Sequence, residues 1–518
     1  MSASREKKIR QERAAQGYVD PKVIREAEEK AAQKKSKILY GVIAALFVIV
    51  AVVSWVVSSG ILERNAKAVS IDGQEYTAAE MDFYYYSAYN SVMNSQYGSY
   101  MGLSASTPLD QQMLSDTAKL ILAVESTEDM TWHEYFLDTA KKNMVQVDRL
   151  YDAAINAGED PNDDHVVEEI EATVDMIGQY ASQSGYSTKE YLRLVYGKNM
   201  TENLFRQLTS KTHVASHFES EYIASLSYDV AALEEYYAAH SADFDVAAYE
   251  SLHFGGSPEV KYDADGKAIE ATDEEKAAAK KAAADAAAAI LARVNNGESL
   301  EEIAKEYESA AYTNTETGTN TGSDLAKWVF DTARVDGDAT VISGDPTSTV
   351  VIFHSVGRQE YNTVDVRHIL VDVDTTGLDK SSETYEADEK ALWDEAKAEA
   401  EQILADWKAG DATEEAFGEL AAQLSADGAD HGLYQNVYKG QMVDEFEDWC
   451  FDESRKVGDT GIVETVYGYH IMYFSAVNAP YWQTQVENTL INEDYTAWLE
   501  ALVADAEVVE LSGIKHVG

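Results

Sequence analysis

Two histidines and a Met/Phe pair are the residues of this chain whose types and spacing could do chemistry. His368 lies within VRHILV (366–371) and His470 within GYHIMYF (468–474), each a short run of β-type residues. Met442 and Phe446 lie four apart in GQMVDEFEDWCF (440–451), a spacing that predicts one face of a helix. Met adapts its shape to an apolar guest and Phe offers a flat apolar face, while an imidazole can hydrogen-bond a polar group beside it. Singly, each has a plain structural account. A histidine in a strand is more often structural than catalytic, and Met442, Phe446 and Trp449 would otherwise be core.

In this order and at these separations the three segments resemble the parvulin family of peptidyl-prolyl cis–trans isomerases. The resemblance implies an antiparallel sheet surrounded by helices, with His368 and His470 on adjacent central strands. An X-Pro bond crosses a barrier near 20 kcal/mol, slowly enough to limit folding. Its catalyst needs no nucleophile, metal or cofactor. It holds the proline ring in an apolar pocket and binds the twisted amide better than either planar form. By resemblance, Met442 and Phe446 form that pocket and the two histidines hydrogen-bond near the amide. Thr465, five residues before His470, matches the family's Ser/Thr that bonds one histidine. The matching acid loop reads SADGADHGLY (425–434), where Asp427 is the candidate and Asp430 the second choice. This loop departs from the family's GGDLG-like turn. It reads HGLYQN at 431–436 and places Tyr434 where an apolar pocket residue is usual.

The elements that must position these residues occur twice. WVFDTARVDGDATVI (328–342) aligns with WCFDESRKVGDTGIV (449–463) at a constant offset of 121, so 246–360 and 362–478 read as tandem parvulin-like domains. At that offset His470 becomes Thr349, Met442 becomes Thr321 and Phe446 becomes Leu325. YESLHFGG (249–256) replaces the VRHILV strand, with Leu252 expected at the His368 position. The first copy therefore reads as degenerate and the second as catalytic. The Ala/Lys/Glu-rich stretch 271–293 of the first copy predicts a helix with a broad solvated face.

The chain has 518 residues, too many for one core, and a formal net charge of −51 that argues against nucleic acid as a partner. Residues 1–37 run against this trend, with eleven Lys/Arg to six Asp/Glu. They precede ILYGVIAALFVIVAVVSWVVSS (38–59), an uncharged run that as a helix would reach about 33 Å, enough for a bilayer core of about 30 Å. The positive-inside rule then leaves 1–37 cytoplasmic and everything after about residue 60 outside the cell membrane. Ala66-Lys67-Ala68 fits a signal-cleavage pattern, but the apolar run exceeds the usual h-region, so an uncleaved single-pass anchor is favoured. Cys450 is the single cysteine, which leaves no intramolecular disulfide and reads as a small buried apolar side chain.

Residues 63–240 predict a short hairpin around Asp72-Gly73 and then long helices, one opened by the capping box Ser187-x-x-Glu190. The tail 480–518 predicts a helix and a strand, EVVEL. A strand pair followed by helices leading into a parvulin unit is similar to the chaperone domain of the SurA and PrsA foldases. That likeness implies that 480–518 returns to complete 63–240. The fold class is thus α+β: an N-terminal membrane helix, a mainly helical chaperone-like domain and two parvulin-like domains. The partners implied are newly exported, unfolded polypeptides containing X-Pro bonds, and a membrane through one helix. The competing reading is a holdase that uses parvulin folds as peptide-binding platforms without catalysis.

Overall fold

The computed structural model describes residues 7–8, 46–51, 54, 60–98, 100–124, 129–263, 266–307, 310–317 and 323–518. The expected basic segment 1–37 and membrane span 38–59 lie outside these residues, except for helical positions 7–8, 46–51 and 54. Thr321 lies outside them too. Among the described residues no helix is long and apolar enough to cross a membrane. The chain divides into two compact units, 1–225 with 495–518 and 226–494.

The first unit opens with β1 (Lys67–Ile71) and β2 (Gln74–Thr77), an antiparallel hairpin. Its turn residues Asp72 and Gly73 both take positive φ, 51° and 84°, as a tight hairpin turn of the right twist requires. Helices follow: α1 (Ala78–Asn94), α2 (Asp116–Ile121), α3 (Trp132–Ala157), α4 (Asp164–Gln183), α5 (Thr188–Tyr196) and α6 (Glu202–Ser225). Three start on reciprocal capping boxes, Thr77/Glu80, Thr131/Glu134 and Ser187/Glu190, in which two otherwise orphaned amide groups find partners. The aromatic run of α1 faces inward, where Tyr84 and Tyr85 pack with Trp132, Phe136 and Met144.

The second unit begins with α7 (Val230–Phe244) and holds two four-stranded antiparallel sheets of one design. The first copy contains β3 (Val246–Phe254), the small hairpin β4 (Lys261–Tyr262) and β5 (Ala268–Ile269), α8 (Asp273–Asn295) and α9 (Leu300–Ala304). It continues with β6 (Ala311–Thr317), α10 (Asp324–Val329), β7 (Ala339–Ser343) and β8 (Ser348–Gly357), in sheet order β6-β3-β8-β7. The second copy contains β9 (Asn362–Asp372), α11 (Tyr385–Ala409), α12 (Glu414–Leu424), β10 (Leu433–Val437), α13 (Asp444–Cys450), β11 (Thr460–Thr465) and β12 (Gly468–Pro480). Its sheet order, β10-β9-β12-β11, is the same arrangement. Strand alternation gives this sheet two faces. Ile369, Val371 and Ile471 pack under α11 and α12 with Trp407 and Phe417, while Val366, Met472 and Phe474 pack against Phe446 and Cys450 of α13.

Strand register corrects one expectation. Leu252 does not take the place of His368. In the second copy His368 pairs with Met472 and Leu370 with His470; in the first, Ser251 pairs with Val351 and His253 with Thr349. Val351 and Thr349 hold the 121 offset, so Ser251 stands where His368 does. Leu252 instead joins Ala287 and Ile290 beneath α8, the face that Ile369 uses in the other copy. A one-residue slip exchanges the faces of a strand. His253 therefore shares the face of Ser251, its Nδ1 3.0 Å from Thr349 Oγ1.

Helix α14 (Tyr481–Val503) follows, and β13 (Val508–Glu510) then pairs antiparallel with β1 of the same unit, Val69 opposite Glu510. The first unit's three-stranded sheet, in order β13-β1-β2, thus draws on both parts of its sequence.

Candidate active site

His368 and His470 come from the two central strands of the second copy. Each lies beside, not opposite, the other, because His368 pairs with Met472 and His470 with Leu370. This diagonal brings their rings together at 5.3 Å between centroids, with Nδ1 to Nδ1 at 3.2 Å. Both side chains are buried, His368 to 1% exposure and His470 to 6%. Thr465, at the end of β11, places Oγ1 3.0 Å from His470 Nε2.

The hydrogen bonds, with the Asp427 carboxylate nearby, favour one proton arrangement. Thr465 Oγ1 accepts the Tyr467 N–H at 3.2 Å, and its hydroxyl hydrogen is free to donate to His470 Nε2. His470 then carries its hydrogen on Nδ1 and donates to His368 Nδ1. His368 must bear its own hydrogen on Nε2, which has no hydrogen-bond partner among the described residues and lies 3.8 Å from Asp427 Oδ2. The opposite tautomers would aim a lone pair at that carboxylate. Burial lowers the pKa of His368, against the pull of Asp427. Burial and the neighbouring His368 push His470 down to about 4. The pair is accordingly neutral near pH 7.

Asp427, not Asp430, is the carboxylate that faces the histidines. Ser425 holds its turn in place: Ser425 Oγ accepts the N–H groups of Asp427 at 3.1 Å and of Leu370 at 2.9 Å, tying the loop to β9. A serine that bonds the N–H two residues on makes such a local turn, a signal the sequence reading of SADGADHGLY did not use. Asp430, His431 and Gly432 all follow at positive φ (47°, 55° and 68°). Glycine is required at 432, where a Cβ would come within 2.3 Å of the His368 carbonyl oxygen.

Tyr434, on edge strand β10, closes the site. Its hydroxyl donates to Asp427 Oδ2, and its ring lies 4.6 Å from that of His368 and 6.2 Å from that of Phe446. Burial and the Asp427 carboxylate push its pKa up to about 12. Phe446 stands edge-on to both histidines, at 5.7 and 5.3 Å. Met442 packs on the same cluster but precedes helix α13, which starts at Asp444. The expected four-residue helical spacing therefore does not apply to it. Gly440, at φ 87°, turns the chain just before this point, and its N–H donates to Glu447 of α13. Cys450 is buried in the same cluster, and burial pushes its thiol up to about 12, so it remains protonated.

All seven residues, His368, His470, Asp427, Thr465, Met442, Phe446 and Tyr434, fall within 351–477, which match the family described as the PPIC-type PPIASE domain. The second copy is a parvulin-type peptidyl-prolyl isomerase domain. No curated protein matches the chain. Among solved structures it is similar to PrsA from Bacillus subtilis at 13% identity, covering 75% of this chain and 92% of that one with a TM-score of 0.22. The peptidylprolyl isomerase PrsA from Bacillus anthracis is 20% identical over 28% of this chain and 58% of its own length, TM-score 0.18. The foldase protein PrsA from Streptococcus pneumoniae is 12% identical over 59% and 94%, TM-score 0.14. At these scores the overlays carry no argument, and the parvulin assignment rests on the family match together with the geometry of the site. That geometry sets an apolar wall of Phe446, Met442 and Tyr434 beside a chain of neutral hydrogen-bonding groups. It can seat a proline ring and surround the adjoining amide with polar groups while offering no nucleophile.

Proposed function

We propose that this protein is an extracytoplasmic foldase, a prolyl isomerase coupled to a helical unit that holds unfolded, newly exported polypeptides. The observation that carries the reading is the Thr465–His470–His368 chain ending beside Phe446 and Tyr434. The uncharged run 38–59, preceded by the basic segment 1–37, supports a single-pass anchor in the cell membrane with the bulk of the chain outside. Its acidic exterior part would favour basic clients and keep a loaded protein soluble. The test is an X-Pro peptide isomerisation assay on the full chain, with His368→Ala and His470→Ala beside it. Rates unchanged in both variants would overturn the site.

One observation favours a second reading, a holdase without catalysis. The Tyr434 hydroxyl engages the same Asp427 oxygen that faces His368. That reading predicts suppression of client aggregation with no isomerisation above background.

A further inference from the structure

Three of the chain's eleven histidines gather in one cavity of the first unit, far in sequence from the isomerase site. The cavity, about 460 Å3, lies where α3 ends, α4 begins and α6 passes. It contains His165, His213 and His217 together with Glu159, Glu169 and Glu221. No lysine or arginine lines it among the described residues. Carboxylates crowded this way repel one another, and neither a lysine nor an arginine on its walls relieves them.

The backbone explains the convergence. Gly158 caps α3 in the left-handed conformation, φ 109°, and its turn brings Glu159 back toward α6. On α6, His213, His217 and Glu221 recur every four residues and so share a face. Glu159 Oε1 lies 3.1 Å from His217 Nδ1. The donor atoms of Glu159, His217 and Glu221 all lie within 4.8 Å of one another. A tetrahedral ion with bonds of about 2.0–2.1 Å holds its ligand atoms about 3.3–3.4 Å apart. One edge of that tetrahedron is thus nearly formed, and rotamer changes in the exposed His217 and Glu221 side chains supply the rest. Beside this trio, Glu169 bridges His213 at 2.8 Å and His165 at 3.3 Å, so a second imidazole pair stands close by.

We propose that Glu159, His217 and Glu221 bind a late first-row divalent cation, best met by Zn2+, with water completing the coordination. Mixed imidazole and carboxylate donors suit Zn2+, whereas Ca2+ and Mg2+ favour all-oxygen sets. The site joins the end of α3 to α6, so metal binding stiffens the helical unit without touching the isomerase site.

The test is calorimetric titration of the full chain with Zn2+ alone, repeated with Ca2+ and Mg2+. We expect about one Zn2+ per chain in the micromolar range or tighter, at least tenfold weaker binding in His217→Ala and in Glu221→Gln, and little change in His165→Ala. Replacement by Co2+ should give the visible absorption of a tetrahedral site, lost in His217→Ala. Circular dichroism of the metal-depleted variants guards against misfolding, since these side chains are largely solvent-facing. Zn2+ binding no tighter than millimolar would overturn the proposal. So would binding unaffected by His217→Ala, or Ca2+ binding as tightly as Zn2+.

Discussion

His368 and His470 meet Nδ1 to Nδ1 at 3.2 Å, so one ring must present a hydrogen and the other a lone pair. The Asp427 carboxylate beside His368 Nε2 favours a hydrogen there, which leaves His470 as the donor and the Thr465 hydroxyl as the donor to its far side. Replacing Thr465 by Val should therefore scramble the tautomers of both rings without emptying the pocket. The expected outcome is a fall in kcat/KM of about tenfold, with His368→Ala and His470→Ala falling further, about 10²-fold, as when a positioned hydrogen-bonding group is lost. Retention of activity by Thr465→Ser, measured in the same peptide assay, is the matching control.

The acid dependence has a definite sign. His470 is held near 4 in the folded protein against an ordinary 6.5, and His368 is also lowered, chiefly by burial. Below 6.5 the unfolded chain binds protons that the folded site refuses. Stability is thus fully present above about pH 6.5 and declines as pH falls toward 4. Denaturant midpoints at pH 7, 5.5 and 4.5 should fall in that order, and part of the decline should vanish in His470→Gln. Isomerase activity should stay flat from about pH 8 to about 7, since both rings are held below their ordinary 6.5.

Phe446 is 2% exposed, so it packs in the core as well as lining the proposed proline pocket. Phe446→Ala should cost about 3–5 kcal/mol of stability and abolish activity. Phe446→Leu separates the two roles: it should retain most of the stability, by chemical denaturation, yet raise KM for the proline peptide. Met442 is only partly buried, and Met442→Ala should affect KM with a smaller stability loss.

Gly432 tests the loop. Its φ of 68° and the His368 carbonyl 2.3 Å from a would-be Cβ leave no room for a side chain. Gly432→Ala should destabilise by about 1–3 kcal/mol and lower kcat by displacing His368. Gly428→Ala, with a would-be contact of 2.6 Å to the Ala421 carbonyl, should destabilise similarly but spare kcat relative to Gly432→Ala.

Tyr434→Phe removes the hydroxyl that engages Asp427. The carboxylate then turns toward the His368 Nε2–H, and kcat/KM should rise about two- to fivefold, whereas Asp427→Asn should lower it. A fall in Tyr434→Phe would show instead that the hydroxyl itself serves the substrate.

The duplicated sheet was legible because Trp, Phe, Asp, Arg and Gly recur at a fixed offset of 121, and the core to which the Trp and Phe contribute recurs with them. The strand before it was less so. Between Ser251 and His368 the spacing is 117, a difference of four from the downstream offset. Composition alone favoured the apolar Leu252, and only cross-strand pairing could show which face each residue takes. Met442 misled in a related way, since helical spacing says nothing about where the helix begins. The contact between Tyr434 and Asp427 was illegible because it depends on β10 folding back along β9.

The pairing of β13 with β1 has a consequence for the order of events in biosynthesis. A chain emerging N-terminus first presents β1 and β2 early, but the strand that completes their sheet, Val508–Glu510, is translated only after the whole of 226–494. The isomerase unit, wholly contained in 226–494, can fold during that interval. The isomerase unit can therefore be complete before β13 exists to finish the first unit's sheet, and a nascent chain stalled short of residue 508 would still contain every residue of the candidate site.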